Sequence, residues 1–100
     1  MGMNFKEIQR MQQKLLKMQE ELEASIFTGT AGGGAVTLSM SGKYEITAIK
    51  IDPEAFNAED IEELEVMVKA AAKDAHDRVT EAQQKLVNSA TGGMKIPGLF

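Results

Sequence analysis

Residues 25–52 read SIFTGT, AGGG and AVTLSMSGKYEITAIKID in turn, with β-branched and apolar residues alternating between glycine turns. Alternation with period two sends successive side chains to opposite faces of a strand, and Gly-containing connections this short close hairpins. The pattern predicts three strands, Ile26–Thr30, Ala35–Met40 and Tyr44–Ile51, in an antiparallel meander. In the second strand Val36, Leu38 and Met40 share one face with Thr37 and Ser39 opposite, the pattern of a sheet covered on one side. The third strand breaks phase. Tyr44, Ile46 and Ala48 point one way and Ile49 and Ile51 the other, so either a bulge shifts the register or both faces are buried. Flanking helices cover only one face well and leave apolar surface and open edges. A second copy packed through the sheet, on Val36, Leu38, Met40, Ile46, Ile49 and Ile51, is the simplest cover.

The glycines at 32–34 lead into a strand, whereas a phosphate cradle needs GxxxxGK[ST] leading into a helix whose N-terminal amides hold the anion. They read as a hairpin turn. Asp52-Pro53 ends the third strand, because proline cannot donate to the ladder.

On either side of the sheet the period changes from two to between three and four. Ile8, Met11, Leu15, Met18 and Leu22 form an apolar seam on a helix expected over about residues 4–24. Lys6, Arg10, Lys14 and Lys17 fall within an arc of about 80° at 3.6 residues per turn, with Gln13 among them and the seam well separated. Only Glu7 opposes this stripe before Glu20, Glu21 and Glu23 reverse the sign. The stripe reads either as a solvated face with ion pairs such as Lys17 to Glu20 or Glu21, or as an anion-binding surface. A second helix is expected over about residues 58–88, with Asn57 as its N-cap and Glu59, Asp60, Glu62 and Glu63 complementing its dipole. Ile61, Leu64, Val68, Ala71, Ala75, Val79, Ala82 and Leu86 make its apolar face, and Glu65 to Lys69, Asp74 to Arg78 and Glu81 to Lys85 are acid-first i,i+4 couples. Asn88 to Gly93 should end the helix, and the rest of the 89–100 tail, MKIPGLF, is apolar and either disordered or docked.

The bulk properties narrow the function classes. One hundred residues make a single domain, 1–100, and a lone domain of this size buries only about two-thirds of its unfolded surface, so dimerisation would help. The chain has no cysteine and one histidine, His76, which leaves no zinc site of the usual kind and no nucleophile motif such as GxSxG; an exposed, structural His76 is expected. The acids of the second helix serve capping and solvation, not paired-carboxylate chemistry. No apolar run reaches the 18 or more residues of a membrane span, and MGMNFKEIQR lacks the apolar core of a signal peptide, so a cytoplasmic protein is expected. The net charge of -4 argues against a simple polyanion binder, so nucleic-acid contact would have to use local charge.

MQQKLLKMQEELE, TGTAGGGAVTLSMSGKYEITAIKIDPE, LEVMVKAAAKDAHDRV and GGMKIPGLF, in that order over essentially the whole chain, resemble the YbaB/EbfC family of bacterial nucleoid-associated DNA-binding proteins. The resemblance implies an α+β fold with an α-β-β-β-α protomer, a tweezer-shaped homodimer formed through the central sheets, and duplex DNA bound by projecting helices. It also implies a place in the nucleoid, a part in gene regulation, and no catalytic activity, cofactor or small-molecule substrate. Carried onto this sequence, it makes Lys6, Arg10, Gln13, Lys14 and Lys17 the candidate DNA-binding residues, with Lys69, Lys73 and Lys85 as secondary candidates. Gln9 and Gln13 could reach base edges. With no aromatic residue on the cationic face, stacking on single-stranded bases is not expected. The rival reading is a dimeric protein-interaction or recombination and repair accessory protein with only weak DNA binding, suggested by the net charge, seven methionines and the apolar tail.

Overall fold

A computed structural model describes residues 4–90, apart from the side chain of Ala90. Helix α1 (Phe5–Ala24) leads into β1 (Ile26–Ala31), β2 (Val36–Ser41) and β3 (Ile46–Ile51), and helix α2 (Ile61–Ala90) follows. The fold is therefore α+β, with a three-stranded antiparallel sheet in the order β1-β2-β3. Helix α2 continues to Ala90, the last described residue, and the glycines expected to end it lie outside the described residues with the rest of the tail.

Local chemistry explains the element ends. Asn4 caps α1, its side-chain oxygen accepting from the Glu7 amide at 2.8 Å. Asn57 stands before a 3-10 turn, Ala58–Asp60, that feeds α2, and its amide donates to the Asp60 carboxylate at 2.8 Å. Between β1 and β2 the chain turns through Gly32, Gly33 and Gly34, all at positive φ (64, 68 and 97°), where an L side chain would be strained.

The phase break in the third strand is a bulge. Val36 opposes Ile51, Leu38 opposes Ile49 and Ser39 opposes Ala48, but Met40 opposes Ile46, leaving Thr47 as the extra residue. Directly opposed residues share a face. Ile46, Ile49 and Ile51 thus line up beside Val36, Leu38 and Met40, and Ala48 and Lys50 go to the polar face with Ser39 and Thr37. Tyr44 does not belong to the strand: it sits in the turn at φ 64°, its amide donating to the Ser41 carbonyl at 3.0 Å.

Helix α2 lies over β1 and β2 and builds the core from Ala71, Ala75 and Val79 against Val36, Leu38 and Met40. Alanine on the helix is matched by Gly29 on the sheet, where a Cβ would strike the backbone of Ala71 and Ala75. The edge of β1 is tied to the helix as well, through the Thr30 amide and the Asp74 carboxylate at 3.0 Å. This packing corrects part of the expected dimer surface. Val36 and Leu38 have no exposure and Met40 has 5%, so these three are the protomer's own core, and only Ile46, Ile49 and Ile51 of the six offer surface.

At 1.5 Å per residue α1 is about 30 Å long and α2 about 45 Å, whereas a six-residue strand spans about 20 Å. Both helices overrun the sheet, and the described chain measures 67 × 24 × 17 Å.

Candidate nucleic-acid interface

Helix α1 has no buried residue, and its half-buried ones, Met18, Leu22 and Glu23, all lie in its last two turns. The end near the sheet is held by close backbone approach: a Cβ on Gly42 would run into the carbonyl of Leu22, and the Gly42 amide donates to the Ser25 carbonyl at 3.1 Å. The remainder stands clear of the sheet and carries the stripe.

Lys6, Arg10, Gln13, Lys14 and Lys17 are all exposed. Among the described residues none of the four cations forms an ion pair, and Lys17 does not close on Glu20 or Glu21. For Lys6 and Lys14 the cause is in the spacing, since no carboxylate stands three or four residues from either. Helical neighbours lie three and four residues apart, so Lys6, Arg10 and Lys14 have each other as i,i+4 neighbours, and like charges at that spacing destabilise a helix by a few tenths of a kcal/mol per pair. A bound anion relieves that repulsion. From Lys6 to Lys17 the stripe extends about 16 Å along the helix.

The lysines of α2 differ. Lys73 bonds Asp77 at 2.7 Å and Lys85 lies 3.3 Å from Glu81, while Arg78 is 3.3 Å from Asp74. The hydrogen bond from Lys73 holds the Asp77 carboxyl below its ordinary pKa, and the same bond raises that of Lys73. Lys69 forms no ion pair with Glu65 among the described residues, so this expected couple is absent while the other two are present. Lys85 lies beside Ile26, Phe27 and Thr28 of β1, and Lys14 shares a groove with Ser89 near the end of α2. The structure thus collects the α1 cations on one free surface and leaves Lys73 and Lys85 in local pairs.

A second surface is the strip on β3. Ile46, Ile49 and Ile51 are 54, 47 and 42% exposed, they lie on the helix-covered face beyond the reach of α2, and β3 is an edge strand. The bulge that aligns them could be read from the sequence only as a phase conflict.

His76 is more than half exposed, and its ring packs on Tyr44 with centroids 4.6 Å apart. Among the described residues no three His, Cys, Asp or Glu side chains are grouped to hold a metal ion, and no helix is long and apolar enough to cross a membrane.

The family model of the YbaB/EbfC DNA-binding family matches residues 1–94. A nucleoid-associated protein of Pelotomaculum thermopropionicum is 42% identical over 100 residues, covering 100% of this chain and 95% of the relative. Another, from Clostridium perfringens, is 44% identical over 96 residues, covering 96% of this chain and 86% of that one. Among solved structures, the uncharacterized protein HP0035 from Helicobacter pylori is similar with a TM-score of 0.73 at 25% identity, over 91% of this chain and 100% of that one. With its element order, its alanine-lined helix packing and its whole-length similarity to nucleoid-associated proteins, the chain belongs to the YbaB/EbfC DNA-binding family.

Proposed function

We propose that the protein is a non-catalytic clamp on duplex DNA. Two copies join through the sheet along Ile46, Ile49 and Ile51, and the two α1 arms bring Lys6, Arg10, Lys14 and Lys17 to the phosphates. The observation that carries this reading is the set of four cations on one face of a projecting helix without a partner among the described residues. Phosphate contacts of this kind hold a protein on the duplex without reading its sequence, and Gln13 within the stripe is the side chain best placed to touch a base edge. Such a clamp would act in the cytoplasm, on the nucleoid, organising DNA and influencing gene expression through occupancy.

The charge distribution makes the proposal measurable. Four to six phosphate contacts give a slope of log K against log salt of about -4 to -5. Fluorescence anisotropy on a labelled random duplex, titrated at several salt concentrations, should show this slope for the native chain. The Lys6→Ala, Arg10→Ala, Lys14→Ala triple variant should lose most of it. Salt-independent binding, or no binding at low salt, would overturn the proposal; binding that survives in the triple variant would move the contact surface off α1. Lys73→Ala and Lys85→Ala should change affinity less than Lys14→Ala does, because both α2 lysines are already engaged by carboxylates.

A further inference from the structure

Over residues 5–16, α1 is apolar across more of its surface than a packing seam needs. At 3.6 residues per turn Leu15, Ile8, Phe5 and Leu16 fall within an arc of about 100°, and Gln12 is the only polar residue of that stretch inside it. Phe5 and Leu16 are 73 and 59% exposed, and they belong neither to the core nor to the apolar side chains packed against it. They also stand outside the groove that Ile8 and Leu15 line with Ser89. Lys6, Arg10, Lys14 and Lys17 occupy the far side of the helix, none of them in an ion pair among the described residues. A helix with one broad apolar face and cations opposite is built to lie flat in a lipid–water boundary, and lying flat requires no membrane-spanning length.

We propose that the α1 arm docks on an anionic lipid surface, with Phe5, Ile8, Leu15 and Leu16 entering the acyl boundary and the four cations holding lipid phosphates. The charge is complementary where it has to be. Up to residue 19 only Glu7 opposes the cations, whereas Glu20, Glu21 and Glu23 sit in the last two turns, at the end beside the sheet, where Glu23 faces Lys43 at 4.0 Å. Screening over about 8 Å at physiological salt separates the tip of the arm from those acids. Shape favours lipid over a protein partner. Phe5 and Leu16 project from the convex back of a single helix, which seats a partner's side chains poorly, whereas fluid acyl chains close round it. The cytoplasmic leaflet of a membrane supplies the anionic headgroups.

The chain has no tryptophan, so Phe5→Trp reports on the arm alone. Its emission should move to shorter wavelength on vesicles of equal parts phosphatidylglycerol and phosphatidylcholine, and stay unchanged on phosphatidylcholine alone. In a flotation gradient the native chain should rise with the anionic vesicles. Phe5→Gln combined with Leu16→Gln should bind them at least about tenfold more weakly, because two large apolar side chains give up their transfer to lipid. Both positions are exposed, so helix content by circular dichroism should not change. The Lys6→Ala, Arg10→Ala, Lys14→Ala variant should also lose flotation. Equal binding by the Phe5, Leu16 double variant would overturn the proposal, by reducing it to adsorption of cations on any polyanion. An absence of flotation at low salt would do so too, and would give the apolar arc to a protein partner. Neither readout involves DNA, so failure here and failure of the clamp are told apart.

Discussion

Tyr44 holds the one non-glycine left-handed backbone among the described residues, at φ 64°, in the turn between β2 and β3. An L residue there is disfavoured by about 1–2 kcal/mol, and the side chain offsets this. Its hydroxyl lies 2.8 Å from Thr80 Oγ1 and donates to Gln83 Oε1 at 3.1 Å, fastening the hairpin to α2. Tyr44→Phe keeps the ring against His76 but removes both bonds. The expected loss is about 1 kcal/mol, read as a lower midpoint in urea; an unchanged midpoint would mean that water replaces the phenol at no cost. Sequence alone placed Tyr44 in a strand, because period-two alternation carries through it and nothing local marks a left-handed tyrosine. The cationic residues were legible for the opposite reason. Their arc follows from helix geometry, and the lack of carboxylates three or four residues from Arg10 and Lys14, Glu7 apart, follows from the order of the letters.

At the scale of elements, β3 and α2 divide the apolar face of the sheet between the protomer's core and its free surface. Ile49→Asp should leave the protomer folded and give monomers by sedimentation equilibrium, since Ile49 is 47% exposed. Val36→Asp should unfold the chain instead, because an unpaired carboxylate would replace a side chain with no exposure. An intact dimer of Ile49→Asp would rule out the β3 strip as the interface. Gly29→Ala tests the packing of α2 on β1. The added methyl meets backbone that cannot move aside, so a loss of about 1–3 kcal/mol is expected in chemical denaturation. The strands, both helices and the Asn57 start were readable from period and capping chemistry. The division of the face was not, because which strand a helix covers depends on the crossing of α2 over the sheet, and no local pattern encodes that crossing.

The whole molecule is an elongated body, 67 Å in its longest dimension, in which the half-buried residues of α1 all lie in its last two turns. The proposed dimer should therefore sediment more slowly than a sphere of twice the mass, and its apparent mass should stay constant from micromolar concentrations upward if the β3 strip is the joint. The anchoring at Gly42 and Leu22 also makes α1 a lever. Lys6 lies sixteen residues from Leu22, about 24 Å along the helix, so a tilt of about 10° at the anchor displaces the lysine by about 4 Å. That is close to the 3.4 Å advance of one base pair along the duplex axis. On the proposed clamp, a small change of angle at a glycine contact would carry Lys6 across one whole step of the phosphate ladder, the gearing an arm needs to follow a duplex that is not straight.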